Sequence, residues 1–456
     1  MTFKRIVVAV VVCAVLATTL FAGGRPETPG ATPDGPVRIV IWGAVPAENG
    51  PQQVVDNFNA AHPHIRAEYV RYVNNPEGNA RLDTALLAGE RIDAFISYSP
   101  AALARRIEGG FAADMSGLLA DAGIDPIAYF GAAAQPFIGA DGSIFAIPTI
   151  KWMNLIFANR DALEAIGVQL PILPGQLTWQ QYRDIARRLT ADNRVELGHF
   201  ITPSEFMIEE YFRTATGRRN VWIDETGRTS TWRSNPRNAE ALRFFHDLMH
   251  ADRSMVSWER VISDGLVNQE GPVLYNGIAG MVMTGTHQMR NVNSPSDFPR
   301  DFQVTFLPAP TPDASAPYYA PLLPNDLLSV NARSNHKAEV ITFLNWYVTE
   351  GFDPMIPGGR LPLYQNYPAD RVTRLLDTGA TLADGRPLFD AEAFAAIVLG
   401  EAPRTIFDGP DTGVVEIAAL MREQFESYFL RLQTLDATLT ALDRGTQQIL
   451  DEKNRN

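Results

Sequence analysis

From residue 37 onward the chain alternates short β-branched apolar runs with segments of helical spacing, and this rhythm restricts the fold more than any other feature. Val37-Arg38-Ile39-Val40-Ile41-Trp42 is apolar at nearly every position, which suits a strand covered on both faces. Gln52 to Ala61 has a helical pattern and stops at His62-Pro63, because the residue before proline avoids the helical region. Ile65 to Val73 reads as a second strand, Ala80 to Ala88 as a helix closed by Gly89, and Asp93 to Tyr98 as a third strand. Ala101 to Ile107 is a further helix. Strands and helices in turn at this spacing predict βαβ units and an α/β fold.

Downstream, Ile144 to Ile150 and Leu155 to Ala158 are predicted as two strands linked through Lys151-Trp152. Thr178, with Gln181 three residues on, spells a capping box at the head of a helix running to Leu189. Ser204 to His250 reads as mainly helical. Strands return at Gly280 to Thr284, Gln303 to Leu307 and Leu327 to Val330, and helices at Lys337 to Thr349, Val414 to Leu432 and Leu435 to Leu450.

The N-terminus reads as an export signal over residues 1–22. Lys4 and Arg5 precede the uncharged apolar run Ile6 to Phe21, and the small residues Ala22-Gly23-Gly24 follow. The run is at the short end of a bilayer span, for which about 20 residues are typical, so an uncleaved anchor stays open on length alone. Residues 23–36 are rich in Gly, Pro and Thr and read as a flexible tether. The expected location is periplasmic or extracytoplasmic. The one cysteine, Cys13, follows Val11-Val12 inside the apolar run, where a lipid anchor is not expected. It also excludes an internal disulfide and a Cys-based metal centre.

A net charge of −13, without a compensating basic run, argues against nucleic acid as a partner. His246 and His250 stand four apart in HDLMH, but Asp247 occupies the place where a zinc protease needs glutamate. Neither GxGxxG, nor GxxxxGKS/T, nor GxSxG is present. No catalytic residue, cofactor or metal is expected.

Several blocks, in order, carry a resemblance to a known family. Trp42 ends the first strand, and Phe58 and HPHIR at His62 to Arg66 follow. LLAGERID at Leu86 to Asp93 is next, with Ile92 in place of a usual proline. Then come DGSIFAIP at Asp141 to Pro148, Phe157-Ala158-Asn159, the Gly167…Pro171…Thr178-Trp179 series, and NGIAGMVMTG at Asn276 to Gly285. Pro308-Ala309-Pro310 and Ser329 to Ala338 complete the set. Together they resemble the bacterial extracellular solute-binding proteins of the carbohydrate type (family 1), the receptor components of ABC importers. The resemblance implies a two-lobe, periplasmic-binding-protein-like (type II) α/β fold, with hinge strands and a ligand cleft between lobes. It implies a first lobe of residues 37–148 plus 285–334 and a second of 149–284 plus 335–456. It also implies a monomeric receptor that hands a sugar to membrane permease subunits. One departure is His287, where the family often has a tryptophan two residues after the strand glycine.

A sugar site combines aromatic platforms for C–H faces with fixed hydrogen-bonding groups for hydroxyls. In α/β sheets the ligand lies beyond the carboxyl ends of the strands. The candidates are therefore Trp42, Tyr98, Lys151, Trp152 and His287, with Tyr319 and Arg360 in loops able to reach the cleft, and Asp93 from the LLAGERID block. Trp42 also fits a core position, Asp93 also fits a turn cap, and Trp179 at a helix start is read as packing. Two other functions compete: an exported carbohydrate-active enzyme of the glycoside hydrolase kind, and a receptor for a phosphorylated polyol that uses Arg360 and Lys151.

Overall fold

The rhythm of the sequence is carried through in the computed structural model, which describes residues 35–202, 207–217, 222–400 and 413–454. Residues 1–34, which carry the expected export signal, most of the expected tether and Cys13, lie outside the described residues. No helix among the described residues is long and apolar enough to cross a membrane.

Among the described residues nine strands build the sheet: β1 Val37–Gly43, β2 Ile65–Arg71, β3 Ala94–Ser97, β4 Ile147–Asn159, β5 Leu197–Ile201, β6 Ala279–Gly285, β7 Val304–Leu307, β8 Leu322–Val330 and β9 Leu361–Pro362. Their order is β2-β1-β3-β8-β4-β6-β5, with β7 and β9 also bonded to β4. β1 runs parallel to β2 and β3, as the βαβ reading requires. The intervening helices end where the sequence says. Pro51–Ala61 stops at His62, and Pro76–Ala88 stops at Gly89, whose φ of 71° only glycine adopts readily. Thr178 and Gln181 form the expected capping box at the head of Trp179–Asp192.

Two strands predicted around Lys151-Trp152 are in fact one. β4 is continuous for 13 residues. Its first part pairs antiparallel with β8, from Ile147 opposite Leu328 to Met153 opposite Leu322. Its last part pairs with β6 and β7. Lys151 and Trp152 break the apolar pattern because the strand passes there from one set of partners to the other. β8 likewise starts before the predicted Leu327. Pro324, Asn325 and Asp326 are poor strand formers by composition, yet β4 lies opposite them. Asp326 sits at φ 48°, a left-handed conformation that costs a non-glycine residue of order 1–3 kcal/mol.

The division of the chain differs from the expected one in two places. β7, expected with the first half, is bonded to the far part of β4 and packs Phe306 on Phe394 at 5.0 Å. Helix Lys337–Thr349, expected with the second half, lies on helix Pro51–Ala61, with Phe58 5.1 Å from Phe343 and 5.4 Å from Trp346. Pairing with β4 fixes β7, and packing on Phe58 fixes the helix, whatever their order in the chain. A second core surrounds Trp179, which stacks on Tyr211 at 5.2 Å and donates its indole N–H to that residue's carbonyl. The closing helices Val414–Phe429 and Leu435–Lys453 pack here through Trp232, Trp258 and Phe429.

Candidate functional site

The strand β4 carries Lys151 and Trp152 at the point where its partners change. The Trp152 indole donates to His287 Nδ1 at 3.2 Å, with the two rings 6.3 Å apart. An indole N–H only donates, so His287 Nδ1 must accept, and the neutral ring carries its proton on Nε2. Burial, with the Arg290 and Arg360 charges, pushes the His287 pKa down to about 3, so the ring is neutral at pH 7. The pair needs Gly285. A Cβ there would lie 1.8 Å from the Trp152 indole nitrogen and 2.8 Å from His287 Nδ1. Two aromatic groups singled out separately in the sequence thus form one unit, linking the middle of β4 to the end of β6.

On the β1 side, the Tyr98 hydroxyl accepts from the Ala44 backbone N–H at 2.8 Å, just past the end of β1. Burial, followed by the neighbouring Tyr69 and Asp326, holds its pKa well above the usual phenol range. Its own O–H therefore remains a donor. Tyr69 donates to the Val45 carbonyl at 2.8 Å.

Arg360 follows Gly359 and enters the same region. Its Nε donates to Asp326 at 3.2 Å, and both side chains are less than a tenth exposed. Burial raises the Asp326 carboxyl against the pull of Arg360. Arg360 Nη1 is buried without a hydrogen-bond partner. The Arg360 charge lowers the pKa values of both Tyr98 and His287, against the larger effect of burial on Tyr98 and alongside it on His287. Lys151 is half-buried, its backbone opposite Pro324 of β8 and Leu361 of β9.

Three candidates stand apart. Trp42 is only 6% exposed and belongs to the core with Tyr72 and Phe95, the Arg81 guanidinium lying 5.3 Å over its ring. It offers no free face as a platform. Asp93 accepts from the Val40 N–H at 2.9 Å and the Ser334 hydroxyl at 2.6 Å, which ties β1 to the turn after β8. Its carboxylate is occupied by the framework. Tyr319 donates its backbone N–H to Thr214 and lays its ring against Gly217, whose absent Cβ would be 3.0 Å away. No described contact joins it to Trp152 or Arg360.

The sequence reading missed Asp326, Glu270 and Arg290. Glu270 accepts from the Thr202 hydroxyl and from Gln288 at 3.3 Å, so it links the carboxyl ends of β5 and β6. Arg290 lies three residues past His287, within one helical turn, and that spacing was a readable signal. His246 and His250 do share a face, 4.6 Å apart, but His250 Nε2 is bonded to the Phe429 carbonyl. No group of three or more metal-ligating side chains occurs among the described residues.

Comparison with known proteins bears on the family and the fold. Residues 46–352 match the family model described as bacterial extracellular solute-binding protein. A protein of Streptomyces antibioticus, described as an uncharacterized lipoprotein in the oleD 5′ region, is 25% identical over 323 residues, which is 70% of this chain and 68% of that one. An ABC substrate-binding protein of Listeria monocytogenes, solved in complex with cycloalternan, superposes with a TM-score of 0.70 at 19% identity, over 92% of this chain and 99% of that one. The GacH receptor of Streptomyces glaucescens, solved unliganded and with acarbose, gives 0.69 at 17% identity, over 91% and 99%. A sugar transporter of Rhizobium etli in an open conformation gives 0.66 at 18%, over 90% and 99%. With two thirds of its length matched by the family model and its strands crossing between two lobes, this chain belongs to the bacterial extracellular solute-binding proteins and has their two-lobe type II fold.

Proposed function

We propose that this chain is an exported receptor that captures a sugar, an oligosaccharide or a similar polyol and delivers it to the permease of an ABC importer, with no bond made or broken. The observation that supports the reading is the unit of Trp152 and neutral His287, formed where β4 passes from β8 to β6; Tyr98 past β3 and the buried Arg360 are assigned to the same cleft. The unit offers an indole face for sugar C–H groups. Around that face lie the fixed donors needed for hydroxyls: the His287 Nε2–H, the Tyr98 O–H and the Arg360 guanidinium. The named ligands of structural neighbours, cycloalternan and acarbose, are saccharides or saccharide-like and support this class.

The ligand contacts we assign are Tyr98, Lys151, Trp152, His287 and Arg360, with Tyr319 at the periphery. Trp42 and Asp93 are assigned to the framework. The first lobe takes β1–β3, the near part of β4 and helix Lys337–Thr349. The second takes β5–β7, the far part of β4 and the closing helices. Closure follows if the ligand touches both lobes, since only a higher affinity for the closed state shifts the population. The chain acts as a monomer, exported by residues 1–22. The Streptomyces relative is described as a lipoprotein. Here Cys13 lies within the apolar run, so we propose export without a lipid on that residue.

The test is equilibrium binding of unmodified sugars by calorimetry, with the ligand recovered and analysed after hours of contact. Binding with full recovery supports the receptor. Appearance of a cleaved product would overturn it in favour of a glycoside hydrolase.

A further inference from the structure

The whole chain is acidic, with a net charge of −13, yet the end of β6 in the cleft is cationic. The short helix Met289–Val292 follows directly on the turn Thr286–Gln288, which brings Arg290 close behind His287. The loop carrying Arg360 closes onto the same turn. At Gly359, with φ 77°, a Cβ would lie 1.8 Å from the Thr286 carbonyl oxygen and 2.8 Å from Met289 Cβ. At Gly358 it would lie 4.0 Å from Arg290 Cβ. Two arginines are thus fixed on two backbone segments in direct contact.

Neither guanidinium is fully answered by the protein. Arg360 spends its Nε on Asp326 and keeps a buried Nη1 without a partner. Arg290 is half-buried and makes no hydrogen bond or ion pair with any described residue. Burial depresses its pKa, as does the charge of Arg360, with Arg71 adding to the effect and Glu270 opposing it. Both Glu270 oxygens already accept from Thr202 and Gln288. The Arg360 charge is met by Asp326, so the excess positive charge is that of Arg290, held partly dry beside a Glu270 already engaged, and such a charge is unfavourable unless a counter-charge arrives. A neutral hydroxyl does not supply one. A carboxylate or phosphate does, and it fits the planar fork of a guanidinium.

We propose that the solute taken by this cleft is acidic: a sugar or sugar-like polyol bearing a carboxylate or a phosphate, whose acid group is held by Arg290 and Arg360 while its ring lies on Trp152. This rests on the receptor reading and adds the charge of the guest.

The test is calorimetry on the full exported chain with matched sets: glucose, glucuronate and glucose 6-phosphate, then galactose, galacturonate and galactose 6-phosphate. In at least one set an acidic member should bind ten-fold or more tightly than its neutral partner, with a margin that shrinks as salt rises. The arm that wins separates carboxylate from phosphate. Arg290→Gln should abolish the margin. Neutral sugars that bind as well as or better than acidic ones in every set, or no acidic sugar binding at all, would overturn the proposal. Neutral binding would leave the receptor reading standing, whereas failure of every sugar in a wider library to bind would remove that reading as well.

A second measurement needs no ligand. Arg290→Gln should melt at the same or a higher temperature than the parent, because an uncompensated charge is removed. A fall of several degrees would make Arg290 a structural residue and overturn the assignment.

Discussion

At the scale of single residues, the Trp152–His287 unit depends on the missing side chain at Gly285. Gly285→Ala should unseat the indole and lower sugar affinity at least ten-fold, read by calorimetry and by the shift in tryptophan emission on ligand addition. Unchanged affinity would show that the indole is not a platform. Trp152→Phe keeps a ring but removes the donor to His287, and a net hydrogen bond is worth about 0.5–1.5 kcal/mol. A smaller loss than that of Gly285→Ala is therefore expected. Another residue sets the acid limit. His199 is wholly buried, its Nδ1 bonded to the Tyr182 hydroxyl, and burial pushes its pKa down to about 3. The unfolded chain takes up the proton near pH 6.5 and the folded chain does not. Stability is thus unaffected above that pH and falls as pH drops from there toward 3, by about 1.4 kcal/mol per unit. Urea unfolding at pH 7 and 4.5 should show a loss about 2.5 kcal/mol larger for the parent than for His199→Gln; equal losses would contradict it. The candidate residues were named in the sequence as types expected at strand ends, whereas Lys151 and Trp152 lie mid-strand. The pairing of Trp152 with His287 was not legible, because it depends on a glycine over 130 positions away from the tryptophan it admits.

At the scale of elements, caps were readable and crossings were not. The Thr178–Gln181 box is local chemistry, and Thr178→Ala should cost about 1 kcal/mol of stability with no change in ligand affinity, by denaturation and calorimetry. The continuity of β4 through Lys151-Trp152 was hidden, since an interrupted apolar pattern also fits two strands. The same holds for the start of β8, where Asp326 keeps a left-handed backbone on a strand and answers Arg360. Asp326→Ala leaves a buried guanidinium unpaired and should destabilise by about 3–5 kcal/mol. The double substitution Asp326→Leu with Arg360→Met should recover most of that loss while abolishing binding. Recovery of stability together with retained affinity would place Arg360 outside the site.

At the scale of the whole molecule, the two halves of the sheet are joined through β4 and β8. A ligand that binds only the folded cleft at 100 times its dissociation constant adds about 2.7 kcal/mol to stability. Saturation should therefore raise the melting temperature and contract the molecule in solution scattering. A melting shift without contraction would mean binding without closure. The sequence by itself determined the α/β class, the helix ends and the alternation of strand and helix up to β3, because each follows from short-range periodicity, capping and turn chemistry. Only the tertiary structure decided that one strand serves both halves, that β7 bonds to the far part of β4 while Lys337–Thr349 packs on Pro51–Ala61, and that the loop before Arg360 lies against the turn that leads to Arg290. Those outcomes depend on pairing between segments far apart in sequence, and such pairing leaves no periodic mark on either partner.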